Sequence, residues 1–85
     1  MSAKSRRSTE NGTPEWAVRL GGEVRQRRKA LRLTQQALAE LAKCGPDFLY
    51  DLERGKPTIR LDKLVPVLET LGLTFELVPR SASAP

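Results

Sequence analysis

Leu33-Thr34-Gln35-Gln36-Ala37-Leu38-Ala39-Glu40-Leu41-Ala42, then Lys43-Cys44-Gly45, then Pro46-Asp47-Phe48-Leu49-Tyr50-Asp51-Leu52-Glu53-Arg54-Gly55-Lys56-Pro57, decides the fold of this 85-residue chain. Thr34 offers a side-chain oxygen to the free amides of a first helical turn, and Ala37, Leu38 and Leu41 make an apolar stripe at helical spacing. Lys43-Cys44-Gly45 is a turn. Pro46 opens a second helix, where its missing donor is not needed, and Gly55 supplies the left-handed position that ends it. Two short helices therefore meet at a tight angle. The expected core between them is Leu33, Ala37, Leu38, Leu41, Cys44, Leu49 and Leu52, with Ala37 small where the helices approach. Pro46, Asp47, Phe48, Tyr50, Asp51 and Arg54 are left on the outside of the second helix.

Upstream, Thr13-Pro14-Glu15 resembles a helix start, with a capping hydroxyl, a proline at the first helical position and an acid at the positive dipole end. Trp16, Leu20, Val24 and Leu31 share one face of that helix, and Trp16 is expected to anchor the packing. Gly21-Gly22 interrupts it, each glycine costing about 1 kcal/mol relative to alanine. Either the helix begins after Gly22 or it runs through; the pattern favours one long, kinked helix. Downstream, Lys56-Pro57-Thr58-Ile59 is a connector. Leu61, Leu64, Leu68 and Leu71 repeat at helical spacing up to Gly72, with Pro66 early in that helix. Then the period changes: Leu73, Phe75 and Leu77 alternate with Thr74 and Glu76, which is strand spacing. A lone strand needs an edge to pair with. The same strand of a second copy is the simplest supplier, so Thr74, Phe75, Glu76, Leu77 and Val78 are the expected dimerisation residues. The expected organisation is a disordered basic tail (1–13), a helical domain (14–72), a dimerisation strand (73–79) and a flexible tail (80–85).

A domain this small is marginally stable alone, which also favours a dimer. One cysteine excludes an internal disulfide framework and suits a reducing compartment. No apolar run approaches the roughly 20 residues that cross a bilayer, and the polar, basic N-terminus has no signal-peptide core. A soluble intracellular protein without a membrane partner is expected. Net charge is +5, but it is one-sided: residues 1–33 carry +6 and residues 34–85 carry −1. Such a field attracts polyanions over roughly 8–10 Å. Charge alone is equally consistent with a solvated face; the helix pair breaks the tie. A helix-turn-helix holds two helices at a steep angle and frees the outer face of the second for the major groove of DNA.

From Leu20 to Leu73 the chain resembles the Cro/repressor-like (XRE) helix-turn-helix family. Leu-Glu-Arg-Gly-Lys-Pro-Thr (52–58), Arg60-Leu61-Asp62-Lys63-Leu64 and Leu71-Gly72-Leu73-Thr74-Phe75-Glu76-Leu77-Val78-Pro79 are similar to its HipB-like branch, the antitoxins of type II toxin–antitoxin modules. The resemblance implies a mainly α, four- to five-helix, lambda-repressor-like domain with one C-terminal β-strand pairing across a homodimer. It also implies an autorepressor of palindromic operator DNA, a HipA-like serine/threonine kinase toxin as partner, and a location on the bacterial nucleoid. Carried over by position, Gln35 would contact phosphate and brace the recognition helix. Arg28 and Glu53 would form a structural ion pair, since either charge buried alone costs several kcal/mol. Arg54 and Lys56 are placed for phosphate oxygens, with Arg25, Lys29 and Arg32 as further candidates.

One departure stands out. The outer face presents Asp47 and Asp51 where the family often has Gln, Ser, Lys or Arg. Asp47 has two readings: an acid favoured by the helix dipole, or an acceptor for cytosine N4. Asp51 pairs with Arg54 at (i, i+3) on the bland reading. Phe48 and Tyr50 touch thymine methyls or backbone, and Phe48 is equally placed to be core. Cys44 at an apolar turn position is expected in the core. The sequence has no histidine, no phosphate-binding glycine loop and no ligand spacing for a metal, so neither cofactor nor active site is expected. Two alternatives remain, a stand-alone XRE repressor without a toxin and a domain that uses the fold only to bind protein.

Overall fold

The computed structural model describes residues 12–80, in which the chain forms four helices: α1 (Glu15–Ala30), α2 (Gln35–Ala42), α3 (Pro46–Glu53) and α4 (Leu61–Thr70). Apart from residues 12, 13 and 80, the two expected tails lie outside the described residues. Pro14 is itself the cap of α1, and its carbonyl accepts from the amides of Ala17 and Val18 at 3.0 and 3.2 Å. Glu15 sits at the positive end of the helix dipole and Arg27, Arg28 and Lys29 at the negative end, as the dipole favours.

α1 runs unbroken through Gly21-Gly22. Gly21 is buried where α1 crosses α3, and a Cβ there would collide with the carbonyl oxygens of Leu52 and Glu53. The glycine thus sets the separation of α1 and α3, while Ala37, expected in the core where α2 and α3 approach, is only half-buried. The buried face of α1 is accordingly Ala17, Gly21, Val24 and Arg28. Trp16 is 55% exposed and Leu31 42%, so Trp16 anchors no packing. Small residues let the helix lie close against its neighbour, and that rotates the larger side chains out of the contact.

α2 is capped as expected, the Ala37 amide donating to Thr34 Oγ1 at 3.0 Å. It ends at Lys43, which takes the left-handed conformation while the Cys44 amide closes onto the Ala39 carbonyl at 2.9 Å. Its buried residues are Leu38, Ala39 and Ala42; Leu41 is 58% exposed and does not belong to the core. α2 packs on both α3 and α4, and α1 packs on α3. Val24, Leu38, Leu49, Leu52, Val67 and Leu71 are wholly buried at the centre, and Leu20, Leu33, Cys44, Phe48, Ile59 and Leu73 pack around them.

Pro66 lies at the middle of α4 rather than in its first turn. Its ring removes the donor for the Asp62 carbonyl, which belongs to an exposed residue that water can reach. After Gly72 the expected strand over 73–79 is not formed: among the described residues there is no β-strand. The alternation is real, but a ladder requires backbone groups on a neighbouring strand, and these residues supply none. Leu73 packs on the core, while Phe75, Leu77 and Val78 are 49%, 90% and 72% exposed.

Candidate nucleic-acid interface

Two wholly buried leucines, Leu49 and Leu52, hold the inner side of α3, and a polar network fixes its C-terminal end. Arg28 Nε donates to Glu53 Oε2 at 2.7 Å and Arg28 Nη2 to Glu53 Oε1 at 2.9 Å. Arg28 Nη1 also donates to the Leu33 carbonyl at 2.8 Å. Gln35 Nε2 donates to Glu53 Oε1 at 3.1 Å. One carboxylate therefore ties α1 and the first residue of α2 to the end of α3, and the same Arg28 holds the α1–α2 turn. Both charged side chains are nearly out of water, Arg28 10% and Glu53 4% exposed. Burial pushes the Glu53 carboxyl up, but hydrogen bonds from Arg28 and Gln35 and the Arg28 charge outweigh it and hold the group below its ordinary range. The hydrogen bond to Glu53 correspondingly holds the Arg28 guanidinium above its own.

The outer side of α3 is open. Pro46, Asp47, Tyr50 and Arg54 are exposed, and Asp47, Tyr50 and Arg54 at i, i+3 and i+7 form a single stripe. The Arg54 guanidinium lies over the Tyr50 ring, 5.0 Å from its centroid, within cation–π range. Asp51 is half-buried and pairs with Lys56, Oδ2 to Nζ at 3.5 Å, rather than with Arg54. Phe48 is half-buried against the core and leaves the outer set. The short span from Arg54 through the left-handed Gly55 to Lys56 thus continues the α3 stripe with two cations.

Arg25, Lys29 and Arg32 are exposed on and after α1. Arg27, not singled out by sequence, donates from Nε to the Leu71 carbonyl at 2.8 Å and ties α1 to the end of α4. No sequence signal marks it, since its partner is a backbone oxygen 44 residues away. Cys44 is half-buried, and burial raises its thiol pKa. Among the described residues no cluster of His, Cys, Asp or Glu is arranged to hold a metal ion, and no helix is long and apolar enough to cross a membrane.

A family model for the helix-turn-helix domain matches residues 19–80, which spans α1 to the segment after α4. The chain belongs to that family. Helix-turn-helix regulators are a DNA-binding, non-enzymatic class, and relatives of this domain carry regulator names. The uncharacterized HTH-type transcriptional regulator y4mF of Sinorhizobium fredii is 42% identical over 59 residues, covering 69% of this chain and 78% of that protein. The crystal structure of the clp gene regulator ClgR from Corynebacterium glutamicum superposes with a TM-score of 0.64 at 31% identity, over 73% of this chain. The chain spans 66% of the length of ClgR's chain in that structure.

Proposed function

We propose that the protein binds its own operator as a homodimer and represses transcription, acting as a HipB-like antitoxin for a HipA-like serine/threonine kinase toxin. The observation that carries the DNA reading is the open stripe of Asp47, Tyr50 and Arg54 on a helix fixed from behind by Arg28, Gln35 and Glu53. A recognition helix must be both rigid and unobstructed, and this one has its polar anchor on the inner side. Arg54 and Lys56 then meet phosphate oxygens at the helix end, Gln35 meets phosphate at the start of α2, and Arg25, Lys29 and Arg32 add to the positive field. Pro46, Asp47 and Tyr50 face the groove.

Residues 14–72 are the DNA-binding unit in this reading, and 73–79 the dimerisation segment. Phe75, Leu77 and Val78 support that division, because three exposed apolar side chains on a segment without ladder partners suit pairing with a second copy. The antitoxin role rests on the sequence resemblance over 52–58, 60–64 and 71–79. A two-fold dimer requires half-sites about 34–36 Å apart.

The test is full-length protein titrated onto its own promoter DNA across a salt series, followed by co-expression with a kinase encoded beside it. Log affinity should fall steeply and linearly with log salt, and the kinase should co-purify. Promoter binding without a kinase complex leaves a stand-alone repressor. Absence of any promoter binding removes the DNA reading and leaves a protein-binding domain.

A further inference from the structure

The two aspartates on the recognition helix are not equivalent. Asp51 is half-buried and committed to Lys56 at 3.5 Å. Asp47 is exposed in the first turn of α3, on the same stripe as Tyr50 and Arg54, and has no hydrogen bond or ion pair to any described residue. A carboxylate at the leading end of a groove-entering helix, with no partner of its own, is an acceptor without a donor. It repels phosphate and guanine's O6 and N7, and it meets adenine's N6 amino group only beside the N7 acceptor. Cytosine instead offers N4–H₂ as an unopposed donor on its major-groove edge. Arg54, held over Tyr50, presents a donor fork about 10 Å further along the helix, a separation of about three base pairs.

We propose that Asp47 is the specificity-determining residue of the interface and that it reads a cytosine N4 amino group at one fixed position of each half-site. The assignment rests on the operator reading above. It goes beyond that reading by choosing Asp47 over Asp51 and by naming the base. Asp51 acts instead as a positioning residue, holding the Lys56 ammonium beside the end of α3.

The experiment is selection from a duplex pool with randomised bases, using full-length wild type, Asp47→Asn, Asp47→Ala and Asp51→Asn, with a thermal melt of each. Wild type should enrich a symmetric motif with a C·G pair at one position per half-site, favoured about tenfold or more over the other pairs. Asp47→Asn should move that one position towards A·T, because an amide pairs with adenine N6 and N7. Asp47→Ala should erase the preference there and nowhere else. Asp51→Asn should leave the base preferences unchanged while altering the salt dependence through Lys56. If both Asp47 variants, folded by their melts, enrich the wild-type motif unchanged, Asp47 reads no base and the assignment is overturned while the operator reading stands. A pool that wild type fails to enrich overturns both.

Discussion

Arg28 on α1 and Glu53 at the end of α3 lie 25 residues apart in sequence and are joined by a two-pronged contact of 2.7 and 2.9 Å, nearly out of reach of water. Such a pair is costly to bury and more costly to break, because a lone survivor keeps the desolvation penalty without its partner. Arg28→Ala or Glu53→Ala should each destabilise the fold by about 3–5 kcal/mol in urea titrations. Replacing both with apolar residues of similar volume, Arg28→Met with Glu53→Leu, should cost much less than the two single changes together. A double variant as unstable as their sum would mean that the contact carries no coupling.

The same pair sets how the protein responds to acid. The Glu53 carboxyl has a pKa below its unfolded value, since the bonds from Arg28 and Gln35 overcome the effect of burial. Its contribution is therefore complete above the unfolded carboxylate pKa of about 4.3 and disappears as pH falls through the lower folded value. Stability should hold from neutrality down to about pH 5 and then decline. Glu53→Gln, which cannot titrate, should start less stable and show a flatter acid limb. Urea midpoints measured from pH 7 to pH 3 for both proteins check this.

How far the sequence carried the structure depends on the range over which each signal acts. Local signals were legible: the Thr34 cap, the turn at Lys43-Cys44-Gly45, Pro46 at the start of α3 and the glycine stops at Gly55 and Gly72 all reflect backbone chemistry within a few residues. Helical periodicity located the stripes but not which side of an alanine-rich helix faces inward. Leu41 outranks Ala39 and Ala42 in hydrophobicity, yet the alanines are buried because small side chains permit the contact. Gly21 reads as a helix breaker by propensity and serves as a contact point, a fact fixed by α3, about 30 residues away. On the interface, Phe48 and Asp51 could not be sorted from the outer face until the core and Lys56 were in place. The Arg28–Glu53 contact had no spacing signal at all, and only the family resemblance linked the two residues.

The neighbouring glycines of α1 offer a controlled comparison. Alanine at Gly22 meets nothing within 4 Å, so Gly22→Ala should gain the helix-propensity difference of about 0.5–1 kcal/mol. At Gly21 the same methyl group meets the Leu52 and Glu53 carbonyls, and the backbone of α3 must shift to admit it. Overpacking of this kind costs about 1–3 kcal/mol or more. Each kcal/mol moves the melting temperature of a domain this size by about 4–8 °C, so the two variants should melt on opposite sides of the wild type. A Gly21→Ala protein as stable as Gly22→Ala would show that α1 and α3 tolerate a wider separation.

Arg54→Ala and Lys56→Ala should weaken binding to specific and random DNA by similar factors and reduce the slope of log affinity against log salt by about 1 each. Tyr50→Ala should partly reproduce Arg54→Ala, because the ring 5.0 Å beneath the guanidinium restricts where it points. Fluorescence anisotropy at four or five salt concentrations separates these effects. An unchanged slope for both cation variants would place the phosphate contacts elsewhere, on Arg25, Lys29 or Arg32.

Removing residues 74–85 tests the dimer. The deletion leaves α4 and its closure intact, because the Leu73 amide that closes on the Leu68 carbonyl at 2.8 Å is retained, as is the Arg27 bond to Leu71. The core loses none of its wholly buried members, all of which precede residue 72. The truncated chain should consequently keep its helical circular dichroism while sedimenting as a monomer. Operator affinity should then fall far more than affinity for an isolated half-site, since linking two heads makes the second binding event intramolecular and raises overall affinity by about 10²–10⁴-fold. Substituting Leu77 and Val78, 90% and 72% exposed, by Ser in the full chain should act in the same direction without shortening it. A truncated protein that remains dimeric would move the two-fold contact onto the helices, where Trp16, Leu41 and Leu61, 55%, 58% and 56% exposed, are among the apolar side chains placed to make it.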